Sequence, residues 1–383
     1  MVSHPISPRI AIIGAGPAGL TLARLLSIQG FSSTIFEKEM SPLERPQGGS
    51  LDLHPDAGLR AVHLAGLDTQ FQAIARYEDQ GLRILDKMGK VLLEESEDAE
   101  HARPEVDRTE LRAMLLDSLA PGSIQWASPL DRVHPIGDGT HTLLFEHGRT
   151  ETFDLVVGAD GAWSRVRPFL SAASPMYTGE TYIELGIDDV DQQFPSVARL
   201  VGRGTMLAVA GEKGLITQRN AYGHIRVYAV LRANTEETTA LGIDVTHPDL
   251  ARAQLLKLFA GWHPDLLEII QVCNDHVAIR PLYMLPIGHS WDASPGVTLI
   301  GDAAHLMPPS AGQGVNQAML DAVELAEAIG KYATLEDAIR AYEHDMFGRA
   351  KRAALLAVSG LDKIVGKDAP NSTLAYFHQF IPS

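Results

Sequence analysis

Residues 9–39, RIAIIGAGPAGLTLARLLSIQGFSSTIFEKE, read as an apolar strand, a glycine turn, an amphipathic helix ended by Gly30 and a second strand closing on Glu37. Gly14-Ala15-Gly16-Pro17-Ala18-Gly19 therefore fits G-x-G-x-x-G in the setting that gives the pattern meaning, right after a strand and opening a helix. Gly14 permits the tight turn, Gly16 lets the backbone approach a pyrophosphate, and Gly19 lets helix and strand pack closely. The helix N-terminus then offers its amides to phosphate. Glu37, 18 residues after Gly19, stands where a carboxylate can accept hydrogen bonds from both ribose hydroxyls. The pattern says dinucleotide without choosing between NAD and FAD.

A second string chooses. Leu299-Ile300-Gly301-Asp302-Ala303-Ala304-His305, then Pro308-Pro309 and Gly312-Gln313-Gly314-Val315-Asn316, puts an acid at a strand end and a glycine-rich helix start about ten residues later. An extended cofactor with ribityl hydroxyls needs such an acid, and a helix N-terminus stabilises negative charge on a reduced isoalloxazine. FAD fits, whereas NAD has no ribityl chain. A third string, Gly158-Ala159-Asp160-Gly161-Ala162-Trp163-Ser164-Arg165-Val166-Arg167, lies between the other two.

The texture of the chain divides it accordingly. Residues 1–8 read as a frayed leader, with neither a signal peptide nor a membrane span visible. A helix is expected from Leu111 to Leu119, with the Asp107 carboxylate able to cap it. From 176 to 232 the pieces become short, alternating and β-prone, as in HIRVYAVL at 224–231, and 249–271 reads as helical. Long helical patterns follow at 314–330 and from 335 to about 363. The expected fold is α/β: a discontinuous Rossmann-like FAD-binding domain (1–72, 103–175, 276–334), a substrate-binding domain on an antiparallel sheet (73–102, 176–275) and a C-terminal helical segment (335–383).

Composition closes other routes. With 32 basic and 48 acidic residues the formal charge of −16 repels phosphate backbones and anionic membranes, so nucleic acid is not an expected partner. The single cysteine, Cys273, can form neither an intramolecular disulfide nor a C-x-x-C pair, which points to a reducing, cytoplasmic location. Fifteen histidines include no H-x-x-x-H or H-E-x-x-H pair, so no metal is expected. Ser164 lacks the second glycine of a nucleophile elbow, which leaves hydrolase chemistry without support.

Together the three strings resemble the single-component aromatic hydroxylases, the class A flavoprotein monooxygenases, in which the middle string is a DG motif serving FAD and nicotinamide binding. Within that group the chain is most similar to the tetracycline-inactivating flavin monooxygenases, on Gly48-Gly49-Ser50-Leu51-Asp52-Leu53-His54, on Asp107-Arg108-Thr109-Glu110-Leu111-Arg112 and on GDAAHLMPPSAGQGVN at 301–316. The resemblance implies that Asp302 binds the ribityl chain, that Arg108 reaches FAD from its helix start, that Asp52 lies near the flavin, and that Arg45 serves NADPH. It also implies cofactor contacts for Asp160, Gly312, Gly314, Val315 and Asn316, with Pro309 and Gly312 near the ring. Where the family often has an arginine over adenine, Lys38 supplies charge without a stacking plane. Glu184 and Arg226 stand where the tetracycline enzymes carry glutamine and histidine, so a different ring system is expected as substrate. Leu82, Ile84, Tyr182, Tyr222 and Tyr228 are candidates for the pocket wall or for core.

The implied activity is an NADPH-reduced monooxygenase with non-covalent FAD, inserting one oxygen atom from O2 into an aromatic or polyketide-like molecule through a flavin C4a-hydroperoxide. No acid or base side chain is strictly demanded. The alternatives are a flavin reductase or oxidase of the same fold, and a flavin-bearing carrier of a small molecule.

Overall fold

Ile10–Ile13 and Leu155–Gly158 are apolar along their whole length, and both are buried throughout, as strands inside a parallel sheet must be. In the computed structural model, which describes residues 8–44, 48–77, 80–95, 103–233 and 242–380, they lie at the centre of a five-stranded sheet. Its order is Val297–Leu299, Leu155–Gly158, Ile10–Ile13, Ser33–Phe36 and Ile124–Gln125, every pair parallel. The register places Ile13 beside both Gly158 and Phe36, and Gly158 beside Leu299. Four strands thus end at one edge, so the segments beginning at Gly14, Glu37, Ala159 and Ile300 emerge side by side. That edge is where open α/β sheets bind their ligands. Helix Pro17–Ile28 packs on this sheet, Gln313–Lys331 packs against that helix, and Leu335–Ile364 packs against both Gln313–Lys331 and the edge strand Val297–Leu299. Thr334 caps the long helix, its hydroxyl accepting from the Asp337 amide at 3.1 Å.

A seven-stranded sheet forms the second layer, in the order Ala278–Met284, Met176–Ile187, Ile225–Arg232, Lys213–Arg219, Thr205–Ala210, Leu82–Asp86 and Val91–Glu95. Its strands are antiparallel except for the pair Thr205–Ala210 with Leu82–Asp86, which is parallel. Pleating divides its side chains. Ile183, Leu185, Val227, Ala229 and Leu215 face a core closed by the helices Pro195–Val201, Pro248–Leu258 and Pro264–Gln271. Tyr182, Tyr228, Val230, Ile216 and Leu207 face the other way, toward Ile364, Val365 and Tyr376 of the C-terminal segment.

Three expectations change, and one sheet is added to them. Residues 249–271 form two helices, Pro248–Leu258 and Pro264–Gln271, separated by a turn in which Gly261 has φ +84. Ala278–Met284, placed by its sequence position with the nucleotide-binding domain, hydrogen-bonds to Met176–Ile187 in the other sheet. An antiparallel three-stranded sheet of Leu130–Gly137, Thr140–Phe145 and Thr150–Phe153 stands within the segment 103–175. Asp107 makes no side-chain cap to the helix Arg108–Asp117. Its carboxylate instead accepts from Arg76 at 2.9 Å, from the Asn220 side chain at 3.2 Å and from the Ala221 amide at 3.4 Å, tying a hairpin of the second sheet to the first domain. No helix among the described residues is long and apolar enough to cross a membrane.

Candidate functional site

The glycine turn has the division of labour its spacing predicts. Gly14 has φ +107, and a Cβ there would overlap the Ala159 carbonyl oxygen of the neighbouring strand. A Cβ at Gly19 would overlap the Gly14 carbonyl oxygen, whereas one at Gly16 would meet nothing within 4 Å. Gly16 thus borders open space at the N-terminus of Pro17–Ile28, and Ala18 is buried just inside it. Glu37 is 7% exposed, and its carboxylate accepts from the Ala15 amide at 2.7 Å and the Glu39 amide at 3.0 Å. Each oxygen keeps further lone-pair capacity for a ligand hydroxyl. Lys38 next to it is exposed.

Arg112, part of the quoted DRTELR string but assigned no role there, braces this loop. It donates from Nε to the Ala15 carbonyl at 3.1 Å, from Nη1 to the Pro42 carbonyl at 3.2 Å and from Nη2 to Glu39 at 2.8 Å. Arg167 does the same for the other loops, donating to the Ala162 carbonyl at 2.7 Å and the Ala303 carbonyl at 3.1 Å. A guanidinium holding several carbonyls has no periodic signature, so neither role is visible in the chain.

Asp302 opens the short helix Asp302–His305 after Gly301, whose φ of 62 turns the chain. Burial pushes its carboxyl above the ordinary range, while His305, Arg108 and Arg167 pull it back. No protein group among the described residues hydrogen-bonds to that carboxylate. Behind it Asp321, fully buried, accepts from the Gly301 amide at 2.7 Å and from Arg349 at 2.9 Å, and lies 2.6 Å from His305 Nε2. This cluster fixes the turn that carries Asp302.

Gly312 is left-handed at φ 62 and starts the helix Gln313–Lys331; a Cβ there would stand 2.9 Å from Asp52 Oδ1. Asn316 holds the same junction, its Oδ1 accepting from the His54 amide at 2.8 Å and the Gly58 amide at 3.2 Å, while its Nδ2 donates to the Asp52 carbonyl at 2.9 Å. The Asn316 side chain is therefore committed to the protein. A Cβ at Gly314 would again meet nothing within 4 Å; Val315 is half-buried and Pro309 exposed. His54 Nε2 sits 2.9 Å from Asp52 Oδ2.

Asp160 caps the DG turn, with Oδ2 accepting from the Arg165 amide at 2.6 Å and Oδ1 buried without a hydrogen-bond partner. Burial raises its carboxyl above the ordinary range, and hydrogen bonds from the Ser164 side chain and from the backbone at Arg165 and Val166 oppose the shift. Arg108 is exposed at its helix start, its guanidinium without an ion pair or hydrogen bond among the described residues. Arg45 lies outside the described residues.

Across the gap, Glu184 and Arg226 pair with each other at 2.8 Å. Glu184 also meets His276 at 2.9 Å and Arg280 at 3.3 Å, two residues the sequence did not single out. Burial works against the Glu184 charge, and the His276, Arg226 and Arg280 contacts outweigh it, holding the carboxyl below its ordinary range. Tyr228 stands directly across from Glu184, and its hydroxyl would lie 3.1 Å from a Cβ on Gly49, so this face meets the Gly48-Gly49 turn of the first domain. Tyr182 packs at 5.3 Å from the Tyr228 ring. Tyr222, a candidate wall residue, is 88% exposed at a hairpin tip and lines no interior face.

These elements fit an extended flavin dinucleotide. Open space borders Gly16 and Gly314 at two helix N-termini, and the half-buried Asp302 carboxylate has no hydrogen-bond partner among the described residues.

Residues 8–355 match the FAD binding domain family. The chain is 34% identical over 405 residues to the monooxygenase penA of Penicillium thymicola, covering 91% of this chain and 93% of that protein. In fold it is similar to Klebsiella pneumoniae HpxO complexed with FAD and uric acid, with TM-score 0.81, 22% identity and coverage of 97% of this chain and 92% of that one. The tetracycline destructase Tet(51) also shares the fold, at TM-score 0.72 and 20% identity over 98% of this chain and 96% of that one. With the glycine turn, the DG string and the buried acid meeting at one sheet edge, the chain belongs to the FAD binding domain family as a class A FAD-dependent monooxygenase.

Proposed function

We propose that the protein is reduced by NADPH and transfers one oxygen atom of O2 to an aromatic or polyketide-like small molecule held between the strand ends of the parallel sheet and the Tyr228 face of the seven-stranded sheet. The observation that carries this reading is the meeting of the Gly48-Gly49 turn with Glu184, Arg226 and Tyr228, which sets a polar, half-buried wall opposite the flavin-binding edge. Ligand sites favour such domain junctions. When bound, FAD supplies the activation of dioxygen. The Gly16 backbone and the start of Pro17–Ile28 would hold its pyrophosphate, Glu37 its ribose, and Asp302 its ribityl hydroxyls. Arg108 would approach from the open side, and the DG turn at Asp160 would close the cradle. The first-turn amides of Gln313–Lys331, around Gly314 and Val315, would favour negative charge on the ring. The chain itself binds, orients and keeps water from the reacting centre.

Incubation with NADPH and isotopically labelled dioxygen, across aromatic and polyketide compounds, tests the reading. Stoichiometric product with a single labelled oxygen is expected. Peroxide alone would make the protein a reductase or oxidase, and no NADPH consumption would make it a carrier.

Three narrower results follow. Asp302→Ala should weaken FAD binding by about 1–3 kcal/mol, the cost of an unpaired buried hydroxyl pair; unchanged flavin retention on dilution would remove Asp302 from the cofactor site. Arg45→Ala should raise the NADPH concentration needed for half-maximal flavin reduction, and an unaltered dependence would reassign that arginine. Tetracycline should be turned over weakly, because the Glu184–Arg226 pair replaces polar partners and so changes discrimination sharply. Tightly coupled turnover of tetracycline would overturn this.

A further inference from the structure

Asp302 and His305 stand three residues apart on the one-turn helix Asp302–His305, and therefore on one face of it. His305 is 6% exposed, its Nε2 lies 2.6 Å from Asp321 Oδ2, and its Nδ1 is buried without a hydrogen-bond partner among the described residues. No donor at Nδ1 favours a neutral ring. Burial works against a charged one, yet the carboxylates of Asp321 and Asp302 outweigh it, and Arg349 is the cation that opposes them. Arg349 is itself drawn off the ring, since it donates to Asp321 Oδ1, Glu324 and Gln317. His289 also stands close, and burial holds it below the ordinary histidine range, so it adds no positive charge there.

The Asp302 carboxylate has the opposite difficulty. Burial disfavours its charge; His305 counters this most, followed by Arg108 and Arg167, while Asp321 adds to the penalty. Arg108 is exposed, so water screens its field. Arg167 spends its guanidinium on the carbonyls of Ala162, Ala173 and Ala303. From inside the protein, the charge that Asp302 faces is therefore that of His305.

Resting on the assignment of Asp302 to the ribityl chain, we propose that His305 is a positively charged positioning residue of the cofactor site: anchored by Asp321, it keeps the Asp302 carboxylate ionised, so that both carboxylate oxygens accept from ribityl hydroxyls of FAD. A neutral carboxyl would give up acceptor capacity to its own proton, and its hydrogen bonds would lose their charge assistance.

The test is a double-mutant cycle on the FAD dissociation constant, read from flavin release when loaded protein is diluted. Asp302→Asn and His305→Gln should each weaken FAD binding at least about tenfold, the scale of one charged hydrogen bond. Because His305 acts through Asp302, the two together should weaken it little more than the worse of them alone. His305→Gln keeps a donor for Asp321, and circular dichroism reports whether it folds. Native protein supplies a second measurement that needs no variant. Histidine-selective nitrogen NMR of the FAD-loaded protein at about pH 8, above the ordinary histidine range, should show a solvent-protected ring with protons on both nitrogens. Costs that multiply in the double variant, unchanged FAD affinity in His305→Gln, or the absence of such a ring would each overturn the proposal. Unchanged affinity in Asp302→Asn would instead remove Asp302 from the cofactor site and the proposal with it, whereas weakened binding without coupling sinks the proposal alone. Oxygen transfer is read separately with labelled dioxygen and stands or falls by itself.

Discussion

Asp321→Ala is expected to lower stability by about 3–5 kcal/mol, because it removes one member of a buried ionic cluster and leaves the others inside. Asp321 has no exposed surface and holds the Gly301 amide, His305 and Arg349 together. Burial opposes both charges of the pair, yet their mutual attraction holds His305 above its ordinary value and Asp321 below its own. The raised histidine contributes stability that is complete below the ordinary histidine range and is lost as pH rises through its folded value. The depressed aspartate contributes stability that is complete above the ordinary aspartate range and is lost as pH falls through its folded value. The advantage of the native protein over the variant should therefore be flat from about pH 4 to about pH 6.5 and shrink on either side. Urea midpoints across that range give the measurement. A midpoint unchanged by the substitution would show that the cluster is neutral to folding.

Gly14→Ala should yield protein that holds no flavin, and Gly16→Ala protein that folds but binds flavin poorly. At Gly14 the left-handed φ costs about 1–3 kcal/mol for a side-chain-bearing residue, and the new methyl overlaps the Ala159 carbonyl oxygen of the adjacent strand. The turn and the sheet edge must move together to relieve it. At Gly16 the methyl meets no protein atom within 4 Å and instead fills the space bordering the helix N-terminus. Circular dichroism and the flavin-to-protein absorbance ratio separate the two. Full flavin loading in Gly16→Ala would mean that the pyrophosphate does not approach that backbone.

The contrast between these glycines shows which information is local. Strand, turn and helix at 10–28 follow from short-range pattern, because an apolar run, three spaced glycines and a proline at the first helical position each act on neighbouring residues. The helix Leu335–Ile364 was readable for the same reason, its pattern being carried by turn-to-turn spacing. The break inside 249–271 is local as well, though the helical periodicity on either side hides it: Gly261 at φ +84 turns the chain, and His263 caps the next helix with Pro264 at its first position.

The candidate site divides along the same line. The residues proposed to face the cofactor, Gly14, Gly16, Asp160, Asp302 and Gly312, could be singled out from the chain because each sits at a strand end or helix start, and parallel pairing then brings those ends to one edge. Arg112, Arg167 and the Asp321 cluster could not be given their roles, because they act through contacts with carbonyls and charges far away in sequence. Asp107 was assigned to its own helix and instead reaches Asn220 and Ala221, since a carboxylate beside a helix start is free to choose a distant donor. Likewise the sequence placed Glu184 and Arg226 in one block. Only the antiparallel register of Met176–Ile187 against Ile225–Arg232, with the edge strand Ala278–Met284 added, made them partners with Arg280 beside them. Charge type is written in the chain, but which charges meet depends on strand order, and strand order comes from long-range pairing that no local pattern encodes.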